Sequence, residues 1–239
     1  MTLYVCIDDT DTVDSELGTG RQGRRLLDRL DDAFDALEPA GVVRQQLLVD
    51  PRVPYTTHNS CACLRFEVDG TVPGDDALEA VAGEFLRTEA ADGSDPGLCL
   101  ATDDRVTDDV VAFGRRAAEE LVTEATAYDL AADAGVYLDE YGGTGEGVIG
   151  ALAGVGRTAT GDLGRFVEYG SLRDYQGSVA VSTLQADGIR VVTDDDGRVV
   201  TEGTVDSRDW IRPELRGGDP TLVVTRANGA WVATNAQDR

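Results

Sequence analysis

The residues with the clearest capacity for chemistry are three acids that directly follow the first apolar run of the chain. Residues 3–7 have the composition and length of a β-strand, and Asp8, Asp9 and Asp11 come immediately after them. Because burying a carboxylate is costly, we expect the strand to end at Ile7 with the acids at its carboxyl end. That edge of an α/β sheet commonly binds ligands, and clustered carboxylates suit Mg²⁺, which bridges to phosphates.

The alternative is a solvated acidic turn in a very acidic chain. The position of the acids, between the first strand and the Gly-Thr-Gly-Arg segment at 18–21, favours a site.

A glycine-rich segment is the second candidate for binding chemistry. Four glycines lie between residues 142 and 147, ahead of an apolar stretch of small residues that we expect to form a helix ending near Gly156. Backbone N–H groups and the helix dipole at such a junction can hold an anion. Small residues also allow a helix to pack closely, so the sequence leaves both interpretations open.

The charge of the chain restricts which groups could contact phosphate. The 239 residues carry a net charge of −24 from 45 acidic and 21 basic residues, and every basic residue is arginine. The acids are spread along the whole length, which we interpret as adaptation to high salt. Without lysine there is no Walker-type lysine or Schiff base, so phosphate contacts must come from arginine, metal or backbone N–H groups.

The cysteines and the single histidine argue against zinc and against a nucleophilic triad. None of Cys6, Cys61, Cys63 and Cys99 has the spacing of a metal site, and the strand-like alternation around Cys61 predicts buried free thiols. A triad would have to use His58, and nothing else in the sequence favours one. No apolar stretch is long enough for a membrane span and no leader pattern is evident, so we expect no membrane partner and a cytoplasmic location.

The elements that must position these residues alternate between strand and helix up to about residue 125, which predicts an α/β layout. Further strands are predicted at 42–49, 61–68, 98–100 and 134–139. Helices are predicted from residue 23 to a stop at Pro39 and Gly41, at 75–88 and at 106–125. Strands at 177–184, 189–193 and 198–205 follow, with a last hairpin at 222–225 and 230–233 through Asn-Gly.

Five motifs, taken in order, resemble those of one enzyme family. They are Ile-Asp-Asp-Thr-Asp at 7–11, Gly-Thr at 18–19, Val-Pro-Tyr-Thr-Thr at 53–57, Asp-Pro-Gly at 95–97 and Gly-Glu-Gly-Val-Ile-Gly-Ala-Leu-Ala at 145–153. The chain resembles the archaeal isoleucine-tRNA 2-agmatinylcytidine synthetases (agmatidine synthetases) over nearly its whole length. The resemblance implies a kinase-like α/β domain at residues 1–122 and a ferredoxin-like α+β domain at 123–239.

The resemblance also implies a reaction and its residues. Those enzymes use ATP to activate the 2-carbonyl of a cytidine at the tRNA wobble position and then couple agmatine. Asp8, Asp9 and Asp11 would hold Mg²⁺ or act near it, and Thr19 would lie near the γ-phosphate. The residues that would contact the nucleotide are Gly18, Gly143, Gly145, Gly147, Thr57 and His58.

The chain departs from the family at cationic positions and in length. Thr56 and His58 stand where the family commonly has lysine and arginine, and Glu146 stands where it tends to have arginine. We expect no counterparts of the tRNA-holding OB-fold and zinc ribbon, and we therefore expect tRNA to bind poorly without a separate RNA-binding partner and expect no DNA partner. Three hypotheses remain: a tRNA-modifying synthetase, a short paralogue acting on a small substrate, and a non-catalytic nucleotide-binding regulator.

Overall fold

The computed structural model describes residues 1–53, 56, 58–208, 210–227 and 229–234. The chain divides into two compact units, Met1–Thr160 (unit 1) and Gly161–Arg239 (unit 2). The division falls later than the sequence-predicted one after residue 122, because the glycine-rich segment and the helix after it pack within unit 1. The predicted mixed α/β class is confirmed.

Unit 1 is built on five antiparallel strands. They are β1 (Thr2–Asp8), β2 (Leu37–Gln46), β3 (Ser60–Val68), β4 (Gly97–Thr102) and β5 (Tyr137–Glu140), in the order β5-β4-β1-β3-β2. Six of the seven residues of β1 are buried, and the strand lies between β3 and β4. The acidic segment therefore leaves the sheet at its centre.

Helices cover both faces of this sheet. They are α1 (Thr19–Ala33), α2 (Asp75–Glu89), α3 (Asp108–Glu119), α4 (Glu124–Ala134) and α5 (Gly147–Ala159), with a short 3₁₀ turn at Asp103–Arg105. Helix α1 packs on β2 and β3, where Gly23 allows close contact with Ala62. Helix α5 covers β1, β3 and β4 from the other face, over the four cysteine thiols, and packs against α3. All four cysteines are free and buried, as the sequence predicts.

Glycines on two sides of α5 explain how closely it packs. A Cβ at Gly154 would overlap the Cys6 and Cys61 sulfurs, and one at Gly156 would overlap the carbonyl group of Val110 on α3. Since a methyl group cannot be accommodated at either position, the small-residue stripe serves packing.

Two element predictions in unit 1 are wrong, each for a local reason. Helix α1 ends at Ala33, and Pro39 and Gly41 lie within β2, where the pairing register shifts between Pro39 and Val42. A β-bulge tolerates a residue without an N–H group, so proline does not end the strand. The single helix predicted over 106–125 is instead α3 and α4, and Thr123 caps the start of α4.

Unit 2 is rich in short strands, as predicted. Its strands are β6 (Arg165–Glu168), β7 (Ser178–Ala180), β8 (Arg190–Thr193), β9 (Thr204–Asp206), β10 (Glu214–Arg216), β11 (Asp219–Ala227) and β12 (Ala230–Ala233). They pair in the order β6-β10-β11-β12-β9-β7, and β8 pairs in parallel with β11. A 3₁₀ turn lies at Leu172–Asp174, and the strand predicted over 177–184 becomes helix α6 (Val181–Ala186) after Ala180.

Unit 2 has a separate core of aliphatic side chains that includes Val191, Val205, Leu222 and Val224. Among the helices of the described residues, none is long and apolar enough to cross a membrane.

Candidate functional site

A cavity of about 160 Å³ in unit 1 lies where β1 ends. Its lining combines carboxylates and hydroxyls with an apolar wall. The polar and charged lining residues are Asp8, Asp9, Asp11, Thr19, Arg52, Thr56, His58, Asn59, Ser60, Glu120 and Glu146. The remaining lining residues are Leu47, Leu48, Val53, Ala117, Leu121, Val122, Gly147, Ile149 and Gly150.

Asp8 and Asp9 occupy different environments although they are adjacent. Asp8 is the last residue of β1 and is only 8% exposed, and its carboxylate lies where a Cβ of Gly150 would be. Asp9 follows at φ 50°, a left-handed conformation that aspartate tolerates better than most residues. The Asp9 carbonyl accepts a hydrogen bond from the Asp95 N–H at 3.1 Å, which holds the turn.

Asp11 takes part in a hydroxyl network at the start of α1. Its two carboxylate oxygens accept hydrogen bonds from Thr19 Oγ1 at 3.1 Å and Thr56 Oγ1 at 3.2 Å. Thr19 Oγ1 in turn accepts one from the buried Thr10 hydroxyl at 3.1 Å. The network therefore joins the turn after β1 to the N-terminus of α1, whose Gly18 cap provides no side-chain acceptor.

Burial and neighbouring carboxylates raise the pKa values of Asp8 and Asp9. Burial, and then the neighbouring charges of Asp9 and Asp11, raise the pKa of Asp8 from 3.8 to about 8. Burial, and then the charges of Asp95, Asp11 and Glu146, raise the pKa of Asp9 to about 6. The charged groups that act on this pair are all acids, so a cation bound there would lower both pKa values.

The three acids do not form a ready three-carboxylate centre. In the part of the chain that the structure describes, no three histidine, cysteine, aspartate or glutamate side chains are arranged to hold a metal ion. The physical reason is that Asp11 is oriented by hydroxyl groups, while Asp8 is held beside Gly150.

The glycine-rich loop is held by unit 1's own carboxylates. The Thr144 N–H donates to the Asp95 carboxylate, and a Cβ at Gly143 would overlap that same carboxylate. Gly145 has φ 90° and lies against Glu140. A Cβ at Gly147 would overlap the Asp95 carbonyl, so a bulky residue there would disturb packing whether or not the loop binds phosphate.

The structure brings together some of the residues predicted from the sequence and separates others. Those that line the cavity are Asp8, Asp9, Asp11, Thr19, His58 and Gly147. Gly18 lies next to Asp11 but outside the lining, as do Gly143 and Gly145, so phosphate contact by these three stays a prediction. Thr57 lies outside the described residues.

Most of the residues that form the cavity wall, and the arginine that lines it, were not identified from the sequence. Arg52 lines the cavity, and so do Glu120 and Leu121 from the segment after α3. The absence of lysine was the one sequence signal that pointed to an arginine, since it required some other cation for phosphate. It could not select Arg52 among 21 arginines.

The fold and site define a mixed α/β protein with an acidic cavity at the end of its central strand, and solved structures share this fold. Neither protein-family profiles nor curated protein sequences match the chain. Apo TiaS, an agmatidine synthetase of an isoleucine tRNA, matches with a TM-score of 0.53 and 22% identity over 65% of this chain and 35% of its own. The complex of TiaS with that tRNA and ATP matches with a TM-score of 0.53 and 23% identity, over 65% and 36%.

A tRNA fluorescent labeling enzyme matches with a TM-score of 0.54 and 23% identity, over 65% of this chain and 36% of its own. The chain therefore spans about a third of the length of these structures, and the likeness establishes a shared fold.

Proposed function

We propose that the cavity of unit 1 binds a magnesium–ATP complex and that the chain is an ATP-dependent enzyme of tRNA modification. The observation that carries this proposal is the convergence of Asp8, Asp9, Asp11 and Thr19 on one cavity at the end of β1. The fold is shared with the agmatidine synthetase TiaS, one structure of which is a complex with tRNA and ATP.

The donor set fits a hard divalent cation. Asp8 and Asp9 offer carboxylate oxygens, and their raised pKa values reflect burial and the repulsion of neighbouring carboxylates, which a cation would offset. Two carboxylates together with water and phosphate oxygens are a common way to hold Mg²⁺. When bound, Mg²⁺ would neutralise charge on the transferring phosphoryl group.

The remaining residues would orient the nucleotide. Thr19, at the first turn of α1, would face the terminal phosphate with its hydroxyl fixed by Asp11 and Thr10. Leu48, Leu121 and Ile149 would provide an apolar wall for the base. The reaction class that follows from the resemblance is activation of a carbonyl oxygen by phosphoryl transfer, after which an amine attacks the activated carbon, the C–O bond breaks and phosphate leaves.

The identity of the acceptor separates the main proposal from its alternatives. A short paralogue would use the same cavity on a small substrate, and a regulator would bind nucleotide without turnover. The −24 charge favours these alternatives or a separate RNA-binding partner, because phosphate neutralisation by cations supplies most of the affinity for RNA.

The first experiment measures Mg²⁺-dependent ATP binding by calorimetry in molar KCl. We expect Asp9→Asn to weaken binding about 10-fold or more, because it removes a metal ligand from a site where Asp9 is partly buried. Asp14→Asn is the matched control, since Asp14 is exposed and lies outside the cavity lining. Equal binding by wild type and Asp9→Asn would refute the assignment.

The second experiment measures ATP turnover in molar KCl with combinations of total tRNA and agmatine, alongside filter binding of the minor isoleucine tRNA. Turnover that needs both additions supports the synthetase. Nucleotide binding without turnover supports the regulator. Tight tRNA binding by the chain alone would contradict the expected need for a partner.

A further inference from the structure

The negative charge of the cavity opposes the binding of any phosphate ligand. Five carboxylates line it, from Asp8, Asp9, Asp11, Glu120 and Glu146. One divalent cation offsets only part of that charge, and a triphosphate adds more negative charge. A further cation at the cavity would therefore favour the binding of a polyphosphate.

Arg52 supplies the one guanidinium group among the described lining residues. Its side chain is 69% exposed, so it is free of close packing and can turn toward a ligand. It lies in a turn between β2 and β3 that is closed by a hydrogen bond from the Val53 N–H to the Asp50 carbonyl at 2.9 Å. The turn therefore fixes the backbone that carries the guanidinium.

Asp50 holds this guanidinium in the geometry that a phosphate would use. Arg52 Nε and Nη2 donate to the two carboxylate oxygens of Asp50, each at 2.8 Å. Asp50 Oδ1 also accepts the Arg52 N–H at 2.9 Å. Arg52 lines the cavity and Asp50 does not, so the pair lies at the cavity edge.

We propose that Arg52 is the phosphate-binding cation of this cavity and that Asp50 is an internal competitor that occupies the guanidinium until a polyphosphate displaces it. The proposal deepens the proposed function, on which it rests. A carboxylate and a phosphate both accept two parallel N–H bonds from a guanidinium, so one can replace the other without a new backbone conformation. The Arg52 half of the pair is 69% exposed, so a phosphate can reach the guanidinium.

Substitutions of Arg52 and Asp50 should change the affinity for Mg²⁺–ATP in opposite directions, which distinguishes this role from a structural one. Arg52→Ala removes the cation and should weaken Mg²⁺–ATP binding by about 10- to 100-fold, the usual effect of losing a charge-assisted hydrogen bond. Asp50→Asn keeps the Oδ1 acceptor for the Arg52 N–H but releases the guanidinium, and should tighten binding by up to about 5-fold. If the pair only stabilised the turn, both variants would weaken binding together.

The experiment is calorimetric titration of the full chain in molar KCl with two probes, Mg²⁺–ATP and Mg²⁺–tripolyphosphate. Arg52→Lys should fall between wild type and Arg52→Ala, because it keeps the charge and loses the two-pronged geometry. Arg105→Ala is the matched control, since Arg105 is an exposed arginine paired with Asp75 away from the cavity. Thermal unfolding of each variant checks that the fold is intact.

Weaker binding by Arg52→Ala together with tighter binding by Asp50→Asn supports the proposal. If Arg52→Ala binds Mg²⁺–ATP as tightly as the wild type, the role of Arg52 is overturned, while the proposed function is still supported. Binding of tripolyphosphate but not ATP, with the same pattern in the variants, supports Arg52 and overturns the nucleotide assignment. Binding of neither probe overturns both.

Discussion

Replacing Asp8 by asparagine should make the ligand-free protein more stable at alkaline pH. Asp8 is 8% exposed, and its pKa rises from 3.8 to about 8 because of burial and the charges of Asp9 and Asp11. Between these two values the folded chain keeps a proton that the unfolded chain releases. The free energy of unfolding therefore falls as pH rises from about 4 to about 8.

The size of the effect follows from the same shift. A rise from 3.8 to about 8 spans about four pH units, which at about 1.4 kcal/mol per unit sets a ceiling of about 6 kcal/mol. Asparagine has no charge to bury, so the variant loses this pH dependence. We expect the two proteins to be comparable near pH 5 and the variant to be more stable by several kcal/mol near pH 8.5.

Urea denaturation at constant KCl, at pH 5, 6.5 and 8.5, measures this difference. Adding Mg²⁺ at pH 8.5 should stabilise the wild type and have little effect on Asp8→Asn, which lacks the charge that the cation would neutralise. Asp14→Asn, at an exposed position, should follow the wild type throughout. A stability difference between wild type and Asp8→Asn that stays constant across pH would refute the argument.

Two further outcomes follow from packing in unit 1. Gly154→Ala should lower the free energy of unfolding by about 1–3 kcal/mol, because its Cβ would overlap the Cys6 and Cys61 sulfurs. Gly20→Ala lies in a helix with open space around the added methyl group, so it should be neutral or stabilising by up to about 1 kcal/mol. If denaturant titrations gave the same change in unfolding free energy for Gly154→Ala and Gly20→Ala, this reasoning would be contradicted. Burial also raises the pKa of the Cys6 and Cys99 thiols well above its usual value, so a thiol reagent should react with the native protein far more slowly than with the denatured chain, whose four thiols all become accessible. Rapid reaction of the native protein would show that the sheet opens.

Several features of the chain were determined locally and could be predicted from the sequence. The acids mark the end of β1, but the strand includes Asp8, one residue beyond the predicted Ile7. The cost of burying charge did not exclude Asp8 from the strand, because its raised pKa lets the buried carboxyl keep a proton. The buried thiols follow from strand alternation around Cys61 and Cys63. The helix at Asp75–Glu89 and the strand at Ser60–Val68 fall within a residue or two of their predicted bounds, since each shows a clear apolar period.

The tertiary structure decided which distant residues meet at the end of β1. Arg52 and Glu120 reach the cavity from segments far apart in sequence, and no local pattern marks either of them. The glycines of the 142–147 loop were equally compatible with phosphate and with packing. Only the long-range contacts with Asp95 and Glu140 show what surrounds them, because close approach depends on the partner as much as on the glycine. The boundary after Thr160 has the same origin, since α5 belongs to unit 1 through the strands it covers.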